Sequence, residues 1–345
     1  MSLSVGRNVL VLQRMAFSTS TSNRAILDGK KVADKILEKV KSDVDRLKDV
    51  GCFPRLIPIQ VEGDPASNVY LSKKAETAKK VGIRCEIQRL PANSTYQDVM
   101  KVVQQLNKNA EVHGIIVQLP LPEGVNEQMI CNAVDPHKDV DGFTAKNLGY
   151  LVQAMEAKVT TTSFIPCTPL GVKYILEEAF EGKSMAGKKA VVLGRSLNVG
   201  LPIFLILHAD PRKGGFGLTT TMCHRDTVDS TPHLKEADVI VSAVGIPNLV
   251  MPEMVKPGAI VVDVGLNRIK DENTGKMRLC GDVAREVQDL EGVRVTPVPG
   301  GVGPCTVACL GGDSIDLFAH KHNLSPQLNP YTRGSKIVWE KFLLQ

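Results

Sequence analysis

The sequence has no apolar run long enough to cross a bilayer. Its longest, Leu201 to Leu207, carries Pro202 and falls far short of the roughly 20 residues that a spanning helix needs. Its 29 glycines and 20 prolines follow no strict period, which excludes collagen-like and simple repeat architectures. None of the eight cysteines forms a CxxC pair, and only Cys305 and Cys309 lie four apart. With seven scattered histidines there is no zinc spacing, and reduced, mostly buried thiols are expected. Aromatic residues are few, 4% of the chain, against 43% hydrophobic and 23% charged residues. That balance is globular rather than disordered or fibrous.

Acidic residues are missing from the start of the chain, where Asp28 is the first. Before it come Arg7, Arg14 and Arg24, the apolar stretch Val9 to Leu12 and the hydroxyl-rich tract Ser18 to Ser22. An Arg-rich, Ser-rich and acid-free leader is the composition of a mitochondrial transit peptide. Residues 1–24 are therefore set aside from the fold, and the mitochondrial matrix is the expected location. The formal net charge is +5. Without the three leader arginines it drops to about +2, too little to suggest a nucleic-acid or membrane-surface partner.

Two domains are expected for 345 residues. Val32, Ile36, Val40, Val44 and Leu47 recur at three- and four-residue steps, the mark of an amphipathic helix. Alternating strands and helices follow: a strand at 56–61, a helix from Ser67 as N-cap to Val81, a strand at 85–90, a helix at 95–107, the strand Gly114 to Gln118 and a helix at 127–134. A second series opens at Pro166-Cys167-Thr168-Pro169, with a helix to Phe180 and apolar strands at 190–193, 219–223, 237–244, 259–264 and 293–298. Continuous apolar strands alternating with helices predict parallel sheets covered on both faces. The expected fold is α/β with two domains, an N-terminal catalytic domain at 25–165 and a Rossmann-like dinucleotide-binding domain at 166–303, with a cleft between them. The helical stretch at 304–325 is expected to complete the first domain, leaving 326–345 as a tail of unknown role.

The sharpest local motif runs from Val191 through Gly194-Arg195-Ser196 to Gly200-Leu201-Pro202. A strand enters a glycine turn and then a helix, which places a helix N-terminus against a pyrophosphate. The spacing is GxSxxxG rather than GxGxxG. Gly245 and Gly265 also end strands, as a crevice for a flat dinucleotide requires. The second strand is followed by His224-Arg225 instead of the acid that usually binds ribose hydroxyls. Arg195 and Arg225 therefore offer two cations to a 2′-phosphate or another anion.

In the first domain, Tyr70 and Lys74 are four apart and share a helix face. A lysine held in a cleft beside an aromatic ring is desolvated, which lowers its pKa toward the range useful for acid–base work. Gln118 ends an apolar strand where a parallel sheet faces its ligand crevice, and Lys138-Asp139-Val140-Asp141-Gly142 sets two acids in one loop.

Six segments resemble, in order, those of the methylenetetrahydrofolate dehydrogenase/cyclohydrolase family: EGDPASNVYLSKKAETAKKVGI at 62–83, HGIIVQLPLP at 113–122, KDVDGF at 138–143, PCTPLG at 166–171, GRSLNVGLP at 194–202 and PVPGGVGPCTVACL at 297–310. The leader and the extra residues between His208 and Arg225 resemble its mitochondrial bifunctional branch. The resemblance implies oxidation of a methylene-bridged tetrahydrofolate by NAD or NADP and hydrolysis of the methenyl product in the same site. It implies Lys74 as the base acting on water, Gln118 as its hydrogen-bonding tuner, Tyr70 stacked on the folate and Asp141 as acceptor for the pterin. Val117, Leu119, Pro299, Gly300, Gly301, Val302 and Gly303 would line the substrate pocket. Gly194, Arg195, Ser196, Arg225, Gly245 and Leu266 would hold the cofactor, and the family expectation is a homodimer.

Some mitochondrial members use Mg²⁺ and inorganic phosphate with NAD, through two arginines and an aspartate eight residues before the second. Here that position is Gly217, and Asp210 is the candidate substitute. Cys305 stands where the family pattern also carries methionine, with altered thiol sensitivity expected. The alternatives are a dehydrogenase that has lost the hydrolytic step, an unrelated amino-acid dehydrogenase with a lysine base, and a non-catalytic dinucleotide-binding module. Lys74, Gln118 and Asp141 argue against the first, the loop at 297–304 against the second, and retention of both lysine and glycines against the third.

Overall fold

Apolar residues every three or four positions along Gly29–Asp49 build helix α1, which buries Val32, Ile36, Val40, Val44 and Leu47 along one stripe. The computed structural model describes residues 26–49, 51–63, 65–156, 164–270 and 275–321. The leader, the tail at 326–345 and the link at 157–163 lie outside the described residues.

The first series continues with β1 (Arg55–Val61), α2 (Pro65–Lys80), β2 (Arg84–Cys85), β3 (Gln88–Leu90), α3 (Tyr96–Lys108), β4 (Gly114–Val117), α4 (Glu127–Ala133) and α5 (Ala145–Glu156). Strand β1 is the centre of a parallel sheet. It pairs with β2 and β3 along one edge and with β4 along the other. The expected strand at 85–90 is two short strands, each registered on a different part of β1. Helix α3 begins as its sequence dictates, with a capping box in which Thr95 and Asp98 each satisfy the other's backbone N–H.

The second series comprises α6 (Cys167–Phe180), β5 (Lys189–Leu193), α7 (Gly200–His208), β6 (Thr219–Cys223), α8 (Thr231–Glu236), β7 (Val239–Ser242), β8 (Ile260–Asp263), β9 (Asn267–Lys270), β10 (Met277–Cys280), β11 (Arg294–Val295) and α9 (Val302–Lys321). A parallel sheet runs β11-β8-β7-β5-β6, with β9 and β10 forming a separate antiparallel pair. Because β5 has β6 on one side and β7 on the other, the chain reverses direction across the sheet at β5. That switch point opens a crevice at the strands' carboxyl ends.

Helix α9 packs against both α1 and α6. A continuous apolar core joins α1, α6, β5 and β7 with Val302, Cys305, Ala308 and Cys309 of α9. Among the described residues, no helix is long and apolar enough to cross a membrane.

Candidate active site

Helix α2 carries Tyr70 and Lys74 one turn apart, and the lysine Nζ lies 5.0 Å from the centre of the tyrosine ring. Ser67 is inside this helix instead of capping it, and its hydroxyl donates to the Leu119 carbonyl at 3.3 Å. That bond ties the helix to the carboxyl end of β4. Lys74 is buried, at 7% exposure, unlike a lysine on a solvated face.

The loop at 138–142 separates its charged residues into distinct jobs. Lys138 Nζ donates to the carbonyls of Leu106, Asn107 and Asn109 at the end of α3. Asp139 accepts from the backbone of Phe143 and Thr144 and from the Asn147 amide, so it builds the turn. Asp141 instead points to Lys74, with Oδ1 3.7 Å from Nζ. Gly142 makes this turn possible. Its φ is +70°, and a Cβ there would lie 2.9 Å from the Phe164 carbonyl. The same approach brings in Cys167, whose thiol donates to the Val140 carbonyl at 3.3 Å.

Burial raises the Asp141 carboxyl, against the pull of Lys74. Burial also works to lower Lys74, but the Asp141 carboxylate, with help from Tyr70 and Cys167, outweighs it and holds the ammonium above its ordinary range. The lowered lysine expected from desolvation is thus reversed in the ligand-free protein, because the buried charge has a buried counter-ion. Tyr70 is itself pushed up, by burial first.

Val117 and Gln118 are buried and Leu119 partly so. The expected bond from Lys74 to Gln118 is not formed. Gln118 Nε2 donates to the Leu119 carbonyl at 2.7 Å, while its Oε1 is buried without a donor. An amide oxygen in this state costs about 1–3 kcal/mol, and a donor that reached it would pay no further desolvation of that oxygen.

Pro299, Gly300 and Gly301 form the loop ahead of α9, while Val302 and Gly303 are already its first turn. The loop is seated on the start of α1: a Cβ on Gly29 would lie 1.8 Å from the Gly301 carbonyl oxygen. The Cys305 thiol donates to the Gly29 carbonyl at 3.1 Å and is fully buried. Burial pushes that thiol up to about 12, so the thiol sensitivity expected at this position is overturned. Thr306, one residue on, reaches Thr168 at 3.2 Å.

Gly194 ends β5 with φ +108°, and a Cβ there would lie 2.4 Å from the Ala243 carbonyl oxygen beyond β7. This close approach is the floor of the crevice. Ser196 accepts from the Gly200 N–H at 3.2 Å and fixes the turn into α7. Gly245 is held by Asp282, which also accepts from Ser242, Val244 and Asn267. Sequence reasoning missed Asp282, which follows Gly281 two residues beyond the mostly exposed strand β10, so no apolar strand end marks it. Leu266 is exposed at 62% on the rim. Arg195 and Arg225 both lie against Asp226, at 2.7 Å and 3.8 Å, so the acid that seemed missing after β6 stands one residue beyond Arg225.

The two halves meet. A cavity of about 240 Å³ is lined by Leu119, Gly142 and Phe143 of one and by Ser196, Leu197 and Asn198 of the other.

The residues expected to hold Mg²⁺ do not fit it. Gly217 has no ligating side chain, and its Cβ direction is blocked by Pro211 at 2.9 Å. Asp210 binds Arg212 with both carboxylate oxygens, at the end of α7 remote from Arg195. Among the described residues, no three His, Cys, Asp or Glu side chains gather as a metal site.

Two family models match the chain: the catalytic domain of tetrahydrofolate dehydrogenase/cyclohydrolase over residues 27–141 and its NAD(P)-binding domain over 166–322. The chain is 46% identical over 297 residues to a bifunctional methylenetetrahydrofolate dehydrogenase/cyclohydrolase, mitochondrial, of Drosophila melanogaster, covering 84% of this chain and 93% of that protein. A 5,10-methylenetetrahydrofolate dehydrogenase from the silkworm Bombyx mori superposes with a TM-score of 0.78 at 37% identity, covering 86% and 99% of the two chains. A Trypanosoma brucei methylenetetrahydrofolate dehydrogenase-cyclohydrolase, complexed with NADP cofactor and inhibitor, gives 0.77 at 32% identity, covering 86% and 98%. Both family models, and a fold shared along nearly the whole of these relatives, leave one conclusion: the chain belongs to the tetrahydrofolate dehydrogenase/cyclohydrolase family.

Proposed function

We infer that the protein oxidises 5,10-methylenetetrahydrofolate to the methenyl cation with NAD or NADP, then hydrolyses the cation to 10-formyltetrahydrofolate in the same cleft. The observation that carries this reading is the buried Lys74–Asp141 pair beside Tyr70 and the uncommitted oxygen of Gln118. The nicotinamide accepts a hydride when bound, so the protein's own task in the first step is alignment. We propose that Tyr70 stacks on the folate, that Asp141 accepts hydrogen bonds from the pterin, and that Val117, Leu119 and the Pro299–Gly303 segment line the pocket. Gly194, Arg195, Ser196, Arg225, Gly245 and Leu266 form the nucleotide side.

Lys74 can remove a proton from water only as the free amine. Pterin donors on Asp141 draw off part of the field that keeps it charged, and the cationic substrate then opposes the ammonium form. The amine takes the proton as water attacks the methenyl carbon, and the ring opens when a proton reaches the departing nitrogen. Gln118 Oε1, buried without a donor, is the acceptor we assign to Lys74 or the attacking water.

We also propose that α9 completes the catalytic domain, supported by its packing on α1, and that the leader directs the chain to the mitochondrial matrix. The exposed Met277 and Leu279 on β10 support a homodimer. The poor fit of Gly217 and Asp210 supports a reaction without Mg²⁺ and phosphate.

The test is a time course with methylenetetrahydrofolate and each nucleotide, with and without Mg²⁺ plus phosphate. Coupled formation of reduced nucleotide and 10-formyltetrahydrofolate is expected, indifferent to both ions. Reduced nucleotide with accumulating methenyl product would leave a dehydrogenase only, and no hydride transfer would leave a binding module.

A further inference from the structure

We propose that Asp226 selects between the two nicotinamide nucleotides, disfavouring the 2′-phosphorylated one. This rests on the assignment of the β5–β7 crevice as the nucleotide site. Strand β6 ends at Cys223, and the turn after it folds back so that Asp226 N–H donates to His224 Nδ1 at 3.2 Å. The turn aims the Asp226 carboxylate at the glycine loop. Its Oδ2 accepts from Arg195 Nη2 at 2.7 Å, and its Oδ1 lies 3.8 Å from Arg225 Nε. The His224 ring closes the cluster, 3.4 Å from Arg195 and 3.6 Å from the same carboxylate.

Both arginines that sequence alone offers to a 2′-phosphate are therefore already facing an internal anion. An acid beyond the second strand of such a sheet accepts from the hydroxyls of an adenosine ribose, and Asp226 stands on the loop that would do so. A 2′-phosphate entering here has to share Arg195 with the carboxylate or displace it. The pair itself is half exposed, with 50% and 59% of the side chains accessible, and so is held weakly. Discrimination comes instead from repulsion between the carboxylate and the phosphate dianion a few ångströms away, worth about tenfold in affinity at such a site.

The test is calorimetric binding of NAD⁺ and NADP⁺ to the full chain, with kcat/KM for each nucleotide as a second readout. The wild type is expected to bind NAD⁺ more tightly. Asp226→Asn, close in size, should tighten NADP⁺ by about tenfold while leaving NAD⁺ unchanged or weaker. In an Arg195→Ala background, Asp226→Asn should still tighten NADP⁺, from a weaker starting affinity, because the repulsion it removes acts through space. Equal changes for both nucleotides, or a gain for NADP⁺ that vanishes without Arg195, would overturn the selector role. Failure of either nucleotide to bind any of the proteins would overturn the crevice assignment, and the proposal with it.

Discussion

Lys74 and Asp141 meet as an ion pair 3.7 Å apart with less than a tenth of either side chain exposed. They come from different parts of the chain, one from the middle of α2 and one from a loop that Gly142 bends toward Phe164. Each is costly to bury alone. Together they make a charged site that needs no solvent, and a ligand that occupies Asp141 changes the state of Lys74.

Asp141→Asn removes the field that raises Lys74, so burial then dominates and lowers it. The acid limb of the hydrolytic pH profile is expected to move to lower pH, while folate binding weakens by tenfold or more through loss of a charge-assisted hydrogen bond. An acid limb that stays in place would show that Lys74 is not the titrating group.

Gln118→Leu removes an unpaired buried oxygen along with the Nε2 bond to Leu119. These changes oppose each other, so thermal or denaturant unfolding should shift by no more than about 1 kcal/mol. Hydrolysis should fall by tenfold or more. A large stability loss with normal hydrolysis would make Gln118 structural.

Gly194→Ala forces a methyl toward the Ala243 carbonyl in a backbone region that costs an L residue about 1–3 kcal/mol. Nucleotide affinity is expected to drop by about tenfold or more while folate binding persists. Parallel loss of both would mean that the crevice and the folate cleft do not move independently.

Asp43, on the buried face of α1, is raised to about 6 by burial despite Lys39 and Arg46. A folded-state pKa above the unfolded one means that the folded chain binds the extra proton. The protein therefore loses stability from this group as pH rises from about 4 through about 6. Asp43→Asn is expected to stabilise by on the order of 1–3 kcal/mol at pH 8 and by little at pH 4. Denaturant midpoints at the two pH values decide it; a gain that is the same at both would remove Asp43 titration as the cause.

Much of this arrangement was legible in the sequence wherever periodicity or chemistry is local. The stripe of α1 and the five strands of the nucleotide sheet follow from the apolar pattern, whereas Thr95, read as helix, is the cap of α3. Helix α5 escaped because Gly149 interrupts a short segment, at about 1 kcal/mol against alanine, although the Thr144 hydroxyl caps it by accepting from the Asn147 N–H. The β9–β10 pair escaped because its strands are largely solvent-exposed and carry no apolar alternation. At the site, residue types pointed to Lys74, Asp141 and Tyr70, but pair geometry is tertiary. Only the fold reveals that Lys74 takes Asp141 rather than Gln118 as its partner, and that Asp226 stands between two arginines already in view.

Lys74→Met tests the central claim most directly, because methionine keeps an unbranched side chain but carries no proton acceptor of comparable basicity. With the variant, hydrolysis of supplied methenyltetrahydrofolate should fall to the uncatalysed rate, while folate binding remains measurable by calorimetry. Undiminished hydrolysis by a folded, folate-binding variant would contradict the account, since it would remove Lys74 from the step for which its burial and its pairing with Asp141 are invoked.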